Sequence, residues 1–468
     1  MDSKGSVFGG GRGGKAPRLA IAVALAGVVL GAIAVAVPLL LPARFYADRL
    51  AAFVRQSTGR DLVFSGPVHV RLLPQFDLEA SEVTFANAPG TATPELVRAK
   101  RMTLQIRLLP LFLGAFEGVR LALAQPVIAL EVDPDGRPGW RFPLPVPSAL
   151  SIDAIAIDDG TILYRNWRTG GGEKFDAVTL SLSMPGIDTP LAADGSARWH
   201  GEAVKLHLDV GSPRRLLLGG GSPVRLTAKA PAGSFGISGE IDRLPPSRFD
   251  GAFAGSLASL TGTANWLGWP PTGGGRDFGG LSAKGKIAWD DGKISLADTE
   301  FSSTSIAGMV AGSLDVAGAR PLLHGQIDAD QFDLGALLAG AGIGWLGGAG
   351  SLSLSLDGPI NDPAGSGKLD LERGQLRGAD LVVLPGRAGT SGGVMEFTAL
   401  SDRFTLGAGS VRTDALRLMA GTVPIDGAGT IDLGQRTLDY RLTVHRPDAP
   451  PTQVEISGPW DAPSFARR

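Results

Sequence analysis

The side chains that could do chemistry are few, and their spacing argues against it. Five histidines occur, His69, His200, His207, His324 and His445. No two form the H-E-x-x-H pair that places zinc ligands one helical turn apart. His200 and His207 stand seven residues apart on a strand-like stretch and read as surface histidines with local partners, not as a metal centre. Asp158-Asp159 and Asp290-Asp291 have the residue types of a glycosidase acid pair. Each runs straight into a glycine, and Asp before Gly is turn chemistry first. No G-x-S-x-G elbow occurs, so no strained nucleophilic serine is signalled. Without cysteine, thiol nucleophiles, thiolate metal sites and disulfides are all excluded. Gly9 to Lys15, GGGRGGK, has phosphate-loop spacing, but Ala16 stands where Ser or Thr would hold magnesium, and no strand precedes it. Trp266 and Trp269 could stack on a sugar; packing against a loop or a membrane surface is the plainer reading. These residues call for no enzyme, no cofactor and no metal. A formal charge of −2 offers no basic field to nucleic acid.

What remains to be explained is the scaffold. Leu19 to Leu41 is an uncharged apolar run, long enough as a helix to cross a ~30 Å hydrocarbon core. Lys4, Arg12, Lys15 and Arg18 precede it against a single acid, Asp2. That bias predicts a single-pass membrane anchor with residues 1–18 as a disordered cytoplasmic tail and the body on the far side. The competing reading is a cleaved signal peptide, since Ala32-Ile33-Ala34 offers a small-residue site; the run exceeds the ~7–15 residues of a signal core. Residues 42–58 follow with helical spacing of Phe45, Leu50, Phe53 and Val54, ended by Gly59 as a C′ glycine. They predict either an amphipathic juxtamembrane helix or a continuation of the anchor.

From Asp61 the period changes from helical to two. Met102, Leu104, Ile106 and Leu108 alternate with Thr103, Gln105 and Arg107. The same pattern returns at Leu206, Leu208 and Val210, at Val224, Leu226 and Ala228, at Leu352, Leu354 and Leu356, and at Leu438, Tyr440, Leu442 and Val444. Strict alternation means a strand with one apolar and one wet face. Six Asp-Gly steps, at 135, 159, 194, 291, 357 and 426, predict hairpin turns in an antiparallel meander. Glycine is 67 of 468 residues, an excess that such turns predict. Residues 143–147 (PLPVP) read as a rigid linker. Residues 332–345 and 257–269 read as short helices or crossovers. A boundary near 270–280 divides a region 59–270 from a region 271–468. With so few helices, the sheet must bury its apolar face on itself, as a barrel, sandwich, β-helix or curled trough.

Two sets of motifs carry a resemblance. The first comprises Ser57-Thr-Gly-Arg-Asp-Leu-Val-Phe-Ser-Gly66, Val68 to Pro74, Leu78 to Gly90, Leu108 to Gly114, Gln125 to Leu130, and Asp135-Gly136 followed by Trp140. The second comprises Phe397 to Leu406, Arg412 to Leu418, Gly427 to Leu433, Leu438 to Leu442 and Ile456 to Pro463. In this order after an N-terminal anchor they resemble the two ends of AsmA family proteins. The resemblance implies a bacterial envelope protein, anchored in the inner membrane with its body in the periplasm. It also implies a repeating β-groove related to bridge-like lipid transfer proteins, and a role in phospholipid traffic and outer-membrane biogenesis. On that reading Leu104, Ile106, Leu108, Leu206, Leu208, Leu352, Leu354, Leu356, Tyr440 and Leu442 line the groove, and phospholipid is its partner. The alternative is a scaffold for outer-membrane protein assembly, binding partners through sheet edges.

Overall fold

Segments that alternate in this way hydrogen-bond to a neighbour on each edge and turn their apolar side chains to one side. The chain does this almost without interruption from Leu62 to Arg467. The structure, a computed structural model, describes residues 41–108, 110, 116–141, 150–242, 248–268, 279–290, 292–316, 318, 320–340, 342–382 and 393–467. The tail 1–18 with its glycine-rich stretch, the apolar run up to residue 40, the linker 143–147, Trp269 and residues 270–278 lie outside them. Among the described residues, no helix is long and apolar enough to cross a membrane.

Within that range, 26 strands form one long, curled, mainly antiparallel sheet, accompanied by a few short helices. Each strand pairs chiefly with its neighbours in sequence. Leu62–Phe64 and Val68–Arg71 share one edge of Phe76–Ala86. Phe116–Ala124 and Val127–Val132 share one side of Leu150–Asn166, and Val394–Phe397 and Ala399–Gly407 share one side of Ala364–Arg377. With those three pairs each occupying one tier, the sheet has 23 tiers. Strand Arg248–Leu257 pairs with Leu281–Asp290 over ten residues, so hydrogen bonding is continuous across the position of the expected boundary.

The meander departs from antiparallel once. Phe116–Ala124 and Val127–Val132 both run parallel to Leu150–Asn166. They amount to one long strand kinked at Gln125-Pro126, where Gln125 has φ 48°. A parallel neighbour needs a long return connection, and residues 133–149 supply it.

The Asp-Gly steps need a larger correction. Gly136 (φ 83°) and Gly292 (φ 96°) do sit in turns. The steps at 159, 194, 357 and 426 lie inside strands. Their spelling follows the pleat: the aspartate faces water and the glycine faces the apolar side. Asp194 stands opposite His207, while Gly195 stands opposite Leu180 and Leu206. Asp159 instead marks a bulge, with φ 50°. Ala177 and Asp298, with φ 49° and 47°, mark two more. Bulges bend a strand and sharpen its twist, which is how a sheet this long curls.

Much of the glycine excess therefore belongs to strand interiors, not turns. At Gly308 a Cβ would overlap the carbonyl of Asp328 on the next strand, and at Gly350 that of Asp370. Neighbouring backbones close in on the concave side there, and only glycine leaves room.

Two cores result. A small one gathers Leu78, Ala80, Val83 and Met102 and is covered by Leu50 of helix Ala43–Thr58. That helix ends at Gly59 in the left-handed conformation, φ 71°. The larger core lies between Phe332 and Ile456, beside helix Leu334–Gly340. A third helix, Leu260–Trp266, falls within 257–269 and is N-capped by Ser259. Its Trp266 packs on Trp199 at 4.9 Å and donates Nε1–H to the Trp199 carbonyl. Trp266 is thus a packing residue at the rim.

Candidate functional site

The registers connect the inward-facing side chains into a single row along the sheet. From the N-terminal end it runs Leu78, Leu104, Leu121, Ile155, Leu182, Ala193, Leu208, Leu226, Ile237 and Phe253, each directly opposite the next. Phe253 stands opposite Gly285, where the ladder slips by a bulge. Beyond it the row resumes with Thr299, Val310, Ile327, Leu354, Gly367, Phe404, Thr413, Gly429, Tyr440, Ile456 and Phe465. Parallel rows flank it. Leu206 and Leu356 face glycines on neighbouring strands, Leu352 faces Ala329 and Leu369, and Leu442 faces Gly427 and Val454. The predicted lining residues Leu104, Leu206, Leu208, Leu352, Leu354, Leu356, Tyr440 and Leu442 therefore share one face of the sheet. Ile106 joins them opposite Phe76. Leu108 does not, because strand Glu95–Ile106 ends two residues before it.

Burial divides this face into three stretches. At the N-terminal end helix Ala43–Thr58 lies over it; the rings of Tyr46 and Phe76 are 6.4 Å apart, and Ile106 is buried. In the middle no described residue lies over it. Between Leu206 and Ile327, among the described residues, the inward positions of the strands hold one fully buried apolar side chain, Phe249. Leu206 and Phe235 are each 43% exposed. Leu352, Leu354 and Leu356 are half-buried, while Ser353 and Ser355 on the reverse face are exposed. This is an open groove with an aliphatic and aromatic floor.

The third stretch is closed. From Leu369 of strand Ala364–Arg377 onward, with Leu346 at the margin, the same face folds inward around a cavity of about 310 Å³. Leu334 and Leu338 of the adjoining helix cover it, and Trp345 donates Nε1–H to the Trp460 carbonyl across its opening. Ile425 and Val444 are 0% exposed. Glycines give the large side chains space: the Phe404 ring lies against Gly367 and the Tyr440 ring against Gly429. The lining is apolar save for one cluster. Asp402, 8% exposed, stands opposite Leu369 on the inward row. Thr413 donates its hydroxyl to Asp402 Oδ2 at 2.9 Å and lies 3.2 Å from Tyr440 Oη. Burial pushes the Asp402 carboxyl above the ordinary carboxylate range, against the hydrogen bond from Thr413 and the nearby Arg403 amide. Burial likewise raises the Tyr440 phenol.

The outer face is wet and laced with pairs of histidines and carboxylates. His207 Nδ1 lies 2.7 Å from Asp194, and His324 Nδ1 lies 2.7 Å from Asp357. His445 lies 3.3 Å from Asp426, and His200 Nε2 lies 3.0 Å from Glu173. Three of these partners are the aspartates of Asp-Gly steps. The hydrogen bond to Asp194, followed by Asp209, raises the His207 imidazole above its usual range. Lys284–Glu300 and Lys286–Asp298 add cross-strand ion pairs. Such exposed pairs orient side chains and add little stability. No motif or spacing signalled Glu131, buried under the loop at 87–94. It accepts from the amides of Ala92 and Thr93 at 3.0 and 2.9 Å and from Trp167 Nε1 at 3.1 Å. Its burial works to raise its pKa, but those donors outweigh burial and lower it. This is a structural lock.

Comparison with known proteins places the first part of the chain. The model of the AsmA family matches residues 15–154. The matched stretch takes in the apolar run, helix Ala43–Thr58 and the strands that begin the inward row; the second set of motifs, 397–463, lies beyond it. No curated protein and no solved structure matched the chain.

Proposed function

From the premise that residues 15–154 form an AsmA family region, we propose that this chain is an envelope-associated lipid-handling protein. Residues 19–41 hold it in the bacterial inner membrane with its N-terminus cytoplasmic and its body periplasmic. The groove carries phospholipid acyl chains in support of outer-membrane biogenesis. One observation supports this reading above the rest. The inward face continues from Leu78 to Phe465, its row slipping once at Gly285, yet among the described residues it is uncovered through its middle, with Leu206 and Phe235 each 43% exposed. A packed core has no reason to leave that floor open, because covering apolar area is worth ~25 cal/mol per Å². Acyl chains would cover it at the same gain. At ~4.8 Å per tier, 23 tiers extend for ~105 Å. The rival scaffold reading needs a long free edge, and the sheet ends in strands of three or four residues: Leu62–Phe64 and Val68–Arg71 at one end, Ser464–Arg467 at the other.

Site-specific photocrosslinking in cells tests the proposal. A photoreactive residue at 354, facing the groove, should capture phospholipid, and one at 353, facing out, should not. Equal capture at both positions, or no capture at 354 in folded protein, would overturn the groove reading.

A further inference from the structure

We infer that the closed C-terminal chamber is a separate binding site for a single-chain amphiphile, whose hydrogen-bond donor head, a hydroxyl or an amine, is received by Asp402. The inference rests on the lipid-handling reading for its ligand class, but on a different part of the molecule.

The first observation is an orphaned acceptor. Asp402 is more than nine-tenths buried and lines the chamber, and its Oδ1 has no hydrogen-bond partner. A buried carboxyl oxygen without a partner is costly, and a hydrophobic residue at this inward position would continue the row set by Leu400, Phe404 and Leu406. The second is the chamber itself. Its volume, about 310 Å³, is at the lower end of small-ligand sites and about twice the ~150 Å³ cavity that accommodates benzene. That is room for one alkyl chain, not for the two chains and headgroup of a phospholipid. The third is the support built around the carboxyl. Thr413 holds Oδ2, and the Tyr440 hydroxyl backs Thr413, reaching it because Gly429 between them has no side chain. Oδ1 is thereby left at the chamber wall, shielded from solvent and without a donor. Among the described residues no cationic side chain lines the chamber, so a donor for Oδ1 is left to the occupant. Burial favours the protonated form of Asp402, which keeps a neutral alcohol compatible with the site; an amine would bind as an ion pair with the carboxylate.

The test uses the full-length chain in nanodiscs and a diazirine-bearing analogue of 1-dodecanol, with labelled peptides mapped by mass spectrometry. Label is expected in strands Ala399–Gly407, Ser410–Ala420 and Thr437–Val444. Unlabelled 1-dodecanol should compete about tenfold better than 1-methoxydodecane, which has the same chain and no donor, since a hydrogen bond to a charged or buried acceptor is worth about that ratio. Asp402→Leu should keep the label and abolish the preference. Asp402→Asn, which can still accept from Thr413, guards against misfolding of the first variant and should weaken the preference. Equal competition by the two compounds in the wild-type chain, or absence of label from these strands, would overturn the inference. Loss of capture at position 354 with chamber labelling intact would instead count against the open groove alone.

Discussion

An aspartate placed at two leucines on the same face should separate the open from the closed part of the sheet. Leu442 is 4% exposed and packs against Gly427 and Val454; Leu206 is 43% exposed above Gly195. Leu442→Asp forfeits nearly all of a leucine's burial, ~1.5–3 kcal/mol. It also leaves a carboxylate with no cationic partner in the chamber, for which breaking a buried pair, ~3–5 kcal/mol, is the guide. Together these come to about 4.5–8 kcal/mol, a large share of the ~5–15 kcal/mol that holds most domains. Leu206→Asp gives up only a little over half of the burial, and its carboxylate reaches water, so about 1 kcal/mol is expected. A sheet in which each tier touches only its neighbours need not unfold in one step, so the measurement is hydrogen exchange resolved by peptide. In Leu442→Asp, protection over residues 423–459 should fall by at least ~10³-fold; in Leu206→Asp, protection over 191–230 should fall by about fivefold. If Leu206→Asp proves as damaging as Leu442→Asp, the middle of the groove is covered and the open-groove argument fails. If neither is damaging, the C-terminal chamber is not closed.

Three further outcomes follow from the packing. Gly308→Val should cost ~1–3 kcal/mol, because its Cβ meets the Asp328 carbonyl and the strands must part; the loss should appear as faster exchange in Ile306–Asp315 and Leu322–Asp333. His207, hydrogen-bonded to Asp194 and Asp209, should titrate above the ~6.5 of a free imidazole. A native pKa above the unfolded one gives stability that is present at acid pH and lost as pH rises through the native value; NMR titration should show Asp194→Ala lowering it. Glu131→Ala should leave the Ala92 and Thr93 amides and the Trp167 indole without their acceptor, costing ~2–4 kcal/mol and releasing exchange protection around residues 87–94 first.

The face that each strand presents was legible in the residues. Ser351 to Leu356 and Leu438 to Val444 alternate so cleanly that the pleat admits one assignment, and the observed register keeps it. The Asp-Gly steps misled for a physical reason: Asp outward and Gly inward on a pleated strand has the same spelling as a hairpin turn. What could not be read was which stretches of the apolar face are covered. Leu206-His207-Leu208 and Leu438-Asp439-Tyr440 have the same pattern, and the difference lies in how far distant strands curl, as Trp345 and Trp460 show by meeting across 115 residues. Asp402 did leave a signal. In Leu400, Asp402, Phe404 and Leu406 it occupies an inward position, and an acid at an apolar parity is the mark of a buried polar site. The tiling of two short strands on one long one, as at Gln125-Pro126, left a proline as its only trace.

Because successive tiers are successive in sequence, the sheet is also a ruler. Adding one hairpin of two strands anywhere in the meander would lengthen the groove by ~10 Å and leave every downstream strand facing and pointing as before. Adding a single strand would reverse the direction of all that follow and carry the connections to the opposite rim. Length in this architecture can therefore change in steps of two strands without redesign. The closed chamber at one end and the helix Ala43–Thr58 at the other would be carried apart intact, as fittings on a rod that can be cut to the distance it must cover.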